Sequence, residues 1–382
     1  MPPKSVYLHI PFCTNKCYYC DFNSFVTSNP QIIWDYLEAL QEEMKRTFEL
    51  TPPDSIDTIF VGGGTPTYLN LEQMRYFLET VEKHLGKHLS DQLEFSMEAN
   101  PGTTDIEKLK LMRSFGVNRL SFGVQSFDDE LLKRIGRIHD AANVYQSVDN
   151  AVQAGFSNIS IDLIFGLPDQ TVEQFQTTID KAMQLPLSHI SSYGLKVEEN
   201  TVFHTLYQKG QLPLPTEEAE LEMYLLLIDS LQKHGFHQYE ISNFAKAGKE
   251  SRHNSTYWLN NDYYGLGAGA HGYCNGVRHV NAGPLAKYVE MAQQGLPRVD
   301  EFTVPSNEAM EDQLILGLRL IRGVELARFE QRFGCTVENE FGSIVREEID
   351  KGMLEIKDGF LRLTKKGLPL GNEVFARFLR EE

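Results

Sequence analysis

The sequence predicts an α/β fold: a partial (β/α)6 barrel followed by a C-terminal extension and a small winged-helix-like α+β domain. Three observations predict it. Short apolar strand-like runs alternate with longer amphipathic stretches through the first 205 residues. Polar, Gly- and Pro-rich motifs stand directly after those runs. Beyond residue 205 the alternation stops, and Pro213 and Pro215 mark a connection to a differently patterned region.

The predicted strands are Val6–Pro11, Thr58–Gly62, Leu93–Glu98, Arg119–Val124, Ile159–Phe165 and Ile190–Leu195. Between them, helical periodicity marks residues 34–47, 71–84, 106–115, 141–154 and 172–183; Leu71, Met74, Phe77, Leu78, Val81 and Leu85 share one helix face. Asn70 and Thr104 read as N-caps, and Gly86, Gly116 and Gly155 as C-terminal stops. A strand followed by a helix, six times over, implies parallel pairing with right-handed crossovers. In such barrels chemistry gathers where the strands end, and every unusual motif of this chain lies there. After the connection come a long helix at 217–234 and an aromatic, Gly-rich stretch at 236–273. A last unit has helices at 307–320, 326–333 and 341–351 and an Asp358-Gly359 hairpin. This divides the chain into 1–205, 206–300 and 301–382.

Composition narrows the class. The 382 residues carry a net charge of -17, with 41% hydrophobic and 23% charged residues, an ordinary globular balance. The acidic charge argues against nucleic acid, which needs a basic face. It argues equally against electrostatic attachment to anionic lipid, leaving a local peripheral membrane contact open. From Asp300 to the end the chain holds 12 Lys/Arg against 17 Asp/Glu, so the winged-helix-like unit reads as a packing or partner module rather than a DNA reader, with a homodimer contact or a protein dock as its uses. No apolar run is long enough to span a bilayer, and the start lacks a signal-peptide pattern, so a cytoplasmic protein is expected.

Cys13, Cys17 and Cys20 place three thiols in eight residues. In a reducing compartment this spacing means metal or redox chemistry. Zinc would want four ligands; a site completed by His9 or Asp21 is the alternative. Three thiolates suit a [4Fe-4S] cluster with one iron left open. Gly62-Gly63-Gly64 after the second strand would let a backbone approach a ligand closely.

Cys-x3-Cys-x2-Cys, with Tyr19 before the last Cys, resembles the signature of the radical S-adenosylmethionine (SAM) superfamily. The resemblance implies the radical SAM type of barrel, a [4Fe-4S] cluster on Cys13, Cys17 and Cys20, and SAM chelating the open iron through its amino and carboxylate groups. It implies that Gly64 and Thr65 hold the methionine end, and that Glu98, Gln125, Arg137 and Asp162 contact the cofactor. Arg137 suits a carboxylate, Glu98 an ammonium, and Asp162 and Gln125 ribose hydroxyls. Tyr7 would lie beside the cluster.

More widely, Tyr7–Cys13, Gly62–Thr67, Gly123–Ser126 and Ile161–Pro168 resemble the coproporphyrinogen III dehydrogenase group. This holds a decarboxylating enzyme of haem synthesis and a sister family, the HemW-type haem chaperones. Two departures favour the sister. The decarboxylase has a further Cys where this chain has Phe22, and a long extension before its first strand. His253-Asn254-Ser255-Thr256-Tyr257-Trp258 is a feature expected of the chaperones. The family thus implies haem binding, with His253 as axial ligand and Tyr257 and Trp258 as flat apolar surface, and a haem-acceptor protein as partner. His271, in Gly265–Gly272, is a second ligand candidate; the small residues of that stretch read as close backbone packing. Cys274 and Cys335 read as buried small hydrophobes. No catalytic residue is assigned; the resemblance leaves the oxygen-independent coproporphyrinogen III dehydrogenase reaction as the alternative to haem delivery.

Overall fold

The computed structural model describes residues 2–380. Six strands run parallel in sequence order, each paired with the next: β1 (Ser5–Ile10), β2 (Ile56–Gly63), β3 (Leu89–Ala99), β4 (Arg119–Gln125), β5 (Asn158–Phe165) and β6 (His189–Gly194). The longer helices between them are α1 (Pro30–Leu50), α2 (Leu71–Leu85), α3 (Ile106–Ser114), α4 (Ala141–Gln153) and α5 (Val172–Ala182), with a short helix, Asp129–Arg134, before α4. They follow the expected segments closely because each carries an apolar stripe and a capped start. Asn70 and Gln73 form a reciprocal capping box on α2. At α3 the expectation of Thr104 is corrected: Asp105 is the cap, its carboxylate accepting from the Lys108 N–H, while the Thr104 hydroxyl is buried without a partner.

The sheet has nine strands, not six. Two antiparallel strands, β7 (His237–Glu240) and β8 (Asn243–Ala245), continue it beyond β6, and β9 (Tyr264–Leu266) adds a parallel strand beside β1. The region after residue 205 therefore completes the barrel sheet. It also supplies the helix α6 (Glu217–Lys233), packed on α5, and a three-stranded antiparallel sheet of β10 (His271–Cys274), β11 (Val277–Asn281) and β12 (Arg298–Thr303).

Strand alternation sorts the side chains by chemistry. One face (Val6, Leu8, Ile10, Ile59, Val61, Phe95, Met97, Leu120, Phe122, Ile159, Ile161) is fully buried in one core with the helices. The other face looks into the barrel and is polar: His9, Thr58, Glu94, Glu98, Arg119, Ser121, Ser160, Asp162, His189 and Ser191.

The helix α7 (Arg252–Trp258) closes the end of the barrel where the strands begin. Glu94 accepts from the Arg252 and His253 N–H groups at 3.1 and 3.0 Å, and Thr256 meets Ser5 at 2.9 Å. The C-terminal unit has its own core, from Met310 to Phe378. Its order is helix (Ser306–Gly317), strand (Val324–Glu325), two helices (Leu326–Phe333, Val337–Asp350) and a hairpin (Leu354–Lys357, Phe360–Leu363). Asp358 and Gly359 both have positive φ, 51° and 82°, as a tight hairpin turn requires. No described helix is long and apolar enough to cross a membrane.

A buried carboxylate ties the later chain to the first helix. Glu43 of α1 accepts from Tyr288 at 2.5 Å, the Asn281 amide at 2.5 Å and the Gly267 N–H at 2.8 Å. Burial raises its pKa to about 7 in spite of these donors. Glu43→Ala strands all three donors, and is expected to lower stability by about 2–4 kcal/mol in urea unfolding.

Candidate active site

The three cysteines stand on the loop after β1. That loop is held at several points before any ligand is considered. The Phe25 N–H donates to the Pro11 carbonyl, the Tyr18 N–H to Ile135, the Phe203 N–H to Tyr18, and the Asn15 amide to Gly136. On its inner side the Gly64 N–H donates to the Ile10 carbonyl at 2.9 Å and the Thr65 N–H to Phe12 at 2.7 Å. A Cβ on Gly64 would sit 2.7 Å from the Phe12 oxygen. Gly64 is thus needed to dock this turn on the cysteine loop, a packing role that the expectation of ligand approach did not include.

Cys13, Cys17 and Cys20 face one cavity of about 520 Å³, a size typical of small-molecule sites. Gly64, Thr65, Glu98, Gln125, Arg137 and Asp162 line the same cavity, so residues of four strands and the loops after them meet the cysteine loop. A hydrogen-bonded chain runs across it: Cys13 to Thr65, Thr65 to Asn100 at 2.8 Å, Asn100 to Arg137 at 2.9 Å, and Arg137 to the Cys17 sulfur at 3.5 Å. Arg137 also donates to the Gly123 carbonyl. Burial works against its charge, but Tyr19 and Cys17 outweigh burial and keep it a cation. Gln125 has φ +66° at a bulge between β4 and β5, which turns its side chain toward the cavity.

No three His, Cys, Asp or Glu side chains among the described residues converge on one point, as a single zinc ion would need. Both His9 ring nitrogens are engaged, with Tyr7 at 2.9 Å and the Asn23 carbonyl at 2.8 Å, so His9 does not complete a zinc site. Three thiols spaced round one cavity suit a polynuclear cluster, where each binds its own iron. Burial pushes the Cys20 thiol up to about 11, with Cys17 and Cys13 adding to it. The thiols therefore need a cationic centre to become thiolates together.

Opposite the cysteines, Glu98 and Asp162 share a polar, mostly buried wall. Burial raises the Glu98 pKa to about 8, and the neighbouring Asp162 adds to the rise. Asp162 is also raised by burial, opposed by hydrogen bonds from Ser191 and Ser121. Two carboxyls that resist ionising side by side make a site that gains by admitting a cation. Arg119 lies at the bottom, 2% exposed, its Nε without a partner. Asn100, Arg119, Ser121 and Ser191 were missed as site residues. The strand alternation and the polar Glu98-Ala-Asn100-Pro101 strand end were the signals that could have found them.

Four expected residues fall elsewhere. Tyr7 lines a separate crevice of about 350 Å³ beside the main cavity. His253 is fully buried in the barrel floor: one ring nitrogen meets Thr58 and the other Tyr257, both at 2.8 Å, and its ring stacks on Phe60. Burial lowers its pKa to about 3, and Arg119 adds to the effect. As an axial ligand it is corrected, because neither nitrogen is free for iron. Tyr257 lines the second crevice, whereas Trp258 faces the C-terminal unit with the Arg319 guanidinium 4.4 Å above its ring. The three do not form one haem surface. The Cys274 thiol donates to the Tyr263 carbonyl, and burial pushes it up to about 12, as for a packed small side chain.

The Radical SAM superfamily profile matches residues 7–182, and the HemN C-terminal domain profile matches residues 304–370. A protein of Bacillus subtilis named heme chaperone HemW is 47% identical over 380 residues, 99% of this chain and 100% of its own. One of Lactococcus lactis with the same name is 41% identical, covering 100% and 98%. In structure, coproporphyrinogen III oxidase (HemN) of Escherichia coli superposes with a TM-score of 0.86 over 99% of this chain and 90% of its own, at 24% identity; this shows a shared fold.

The carboxyl wall yields a test in protein without cofactors. Because the folded-state pKa of Glu98 is raised, the unfolded chain ionises Glu98 above pH 4.5 while the folded chain keeps the proton until about pH 8. Stability is therefore lost as pH rises through that window. Glu98→Gln is expected to gain on the order of 2–4 kcal/mol over wild type between pH 5 and pH 8, read from thermal melts at each pH. Parallel pH profiles of the two proteins would remove this account of Glu98.

Proposed function

The chain belongs to the family of its heme chaperone HemW relatives within the Radical SAM superfamily, and from there we propose that it binds haem and passes it to an acceptor protein. On this reading it carries a [4Fe-4S] cluster on Cys13, Cys17 and Cys20, with exchangeable SAM beside it. The observation that carries the cofactor part is the gathering of three cysteines with Thr65, Glu98, Gln125, Arg137 and Asp162 round one cavity. The haem part rests on likeness to the named relatives along the whole chain.

The residues fit the cofactors by charge. Arg137 would bind the methionine carboxylate from one side of the cysteine loop, and Glu98 the ammonium from the other. Asp162 and Gln125 would take the ribose hydroxyls, with Gly64 and Thr65 holding the methionine end. A bound cluster would supply the electron that cleaves the SAM sulfonium when the cofactor is used. The protein's own part is to exclude water from the thiols and to neutralise the carboxyl pair with a positively charged ligand. Three free thiols on a short loop call for a reducing compartment, which supports a cytoplasmic setting.

The second reading is oxidative decarboxylation of coproporphyrinogen III, which shares the fold and the cofactors. Phe22 speaks against it: it is 58% exposed and stands where the decarboxylase has another Cys. The test is anaerobic turnover of coproporphyrinogen III by cluster-loaded protein with SAM and a reductant, beside a known decarboxylase. No product is expected, together with haem uptake by the same preparation. Product at a rate near the control would replace the chaperone reading. In the same protein, Cys17→Ala should lose nearly all cluster iron and its visible absorption, with stability changed by less than about 1 kcal/mol. Unfolding of that variant would make the metal a structural element.

A further inference from the structure

We propose that the second crevice is where haem docks, with His271 as its axial ligand. The inference rests on the haem-binding reading above and adds a site to it. The crevice opens beside the cysteine cavity and shares Phe22, Gly63 and Glu98 with it. Its walls are mainly apolar and flat: Tyr7, Tyr257 and Tyr263, the last two in edge-to-face contact at 4.7 Å, with Phe22 half exposed at the rim. Small residues, Gly269 and Ala270, leave room for a planar ligand.

Two histidines border this crevice. His9 spends both ring nitrogens on Tyr7 and Asn23. His271 is exposed, and among the described residues its ring makes no hydrogen bond. This sets it apart from the buried His189, His253 and His279, whose rings are all bonded within the protein. An imidazole that is both free and at the mouth of an aromatic crevice is what iron in a porphyrin requires.

The backbone fixes this histidine in place. His271 starts β10 and pairs with Val280 of β11. A Cβ on Gly265 would lie 1.7 Å from the His271 oxygen, so only glycine lets β10 run this close to β9. A Cβ on Gly272 would meet the His279 ring at 2.1 Å. The Gly265–Gly272 stretch is thus closely packed, as its small residues suggest, and that packing presents one unbonded imidazole at a set position.

The test titrates hemin into the full-length, cluster-loaded chain and follows the Soret band and the affinity. His271→Ala should shift the band and weaken binding at least about ten-fold, and added imidazole should restore the wild-type band. Phe22→Ala should weaken binding while leaving the band in place. Since His271 and Phe22 are exposed, circular dichroism and cluster absorption should match wild type in both variants. A wild-type band and affinity in His271→Ala would overturn the ligand assignment and leave haem binding standing. Failure of the wild-type protein to bind hemin would overturn the haem reading itself.

Discussion

A barrel with a polar inside has to satisfy every group it encloses, and that requirement organises this molecule. The outward residues of the six strands give the helices an ordinary apolar surface. The inward residues do not close into branched apolar layers. Instead Glu94, Arg119, Asp162, His189 and their neighbours share one lumen. Each enclosed charge or imidazole costs free energy unless it finds a partner. At the end where the strands begin, the partners come from the protein. His189 bridges Ser160 and Tyr239, and the Tyr239 hydroxyl receives the Ser251 N–H. His253 joins Thr58 to Tyr257, and Glu94 takes both N–H groups at the start of α7. The sequence His253–Trp258 is in this sense a floor for the barrel.

At the other end the partners are incomplete. Glu98 holds one bond, from the Gly63 N–H at 3.1 Å, and Asp162 holds serines. Arg119, the first residue of β4, lies below them at the bottom of the cavity with its Nε unpartnered. The two carboxyls leave a polar wall in the cysteine cavity that a charged, hydrogen-bonding ligand would complete.

Much of this was legible in the sequence because it is encoded locally. The six strands, the five longer helices between them and the Asp358-Gly359 hairpin each carry their own periodicity, cap or turn. The cavity residues were legible because strand ends of a parallel barrel converge by topology. The edge strands β7, β8 and β9 were not, being three or four residues long and defined only by the partners they meet. Thr104 and Asp105 are adjacent and both good caps, so only the backbone path decides between them. His253 was misassigned for a deeper reason. Its partners Thr58 and Glu94 lie 195 and 159 residues away, and nothing near it in sequence tells a ligand from a buried floor residue.

Phe22 shows how a single position can divide two functions on one frame. It borders both the cysteine cavity and the second crevice, and is largely exposed between them. A thiol there would stand two residues from Cys20 and add a redox-active group to the reaction cavity. A phenyl ring instead extends the aromatic wall formed by Tyr7, Tyr257 and Tyr263, and adds apolar surface facing solvent.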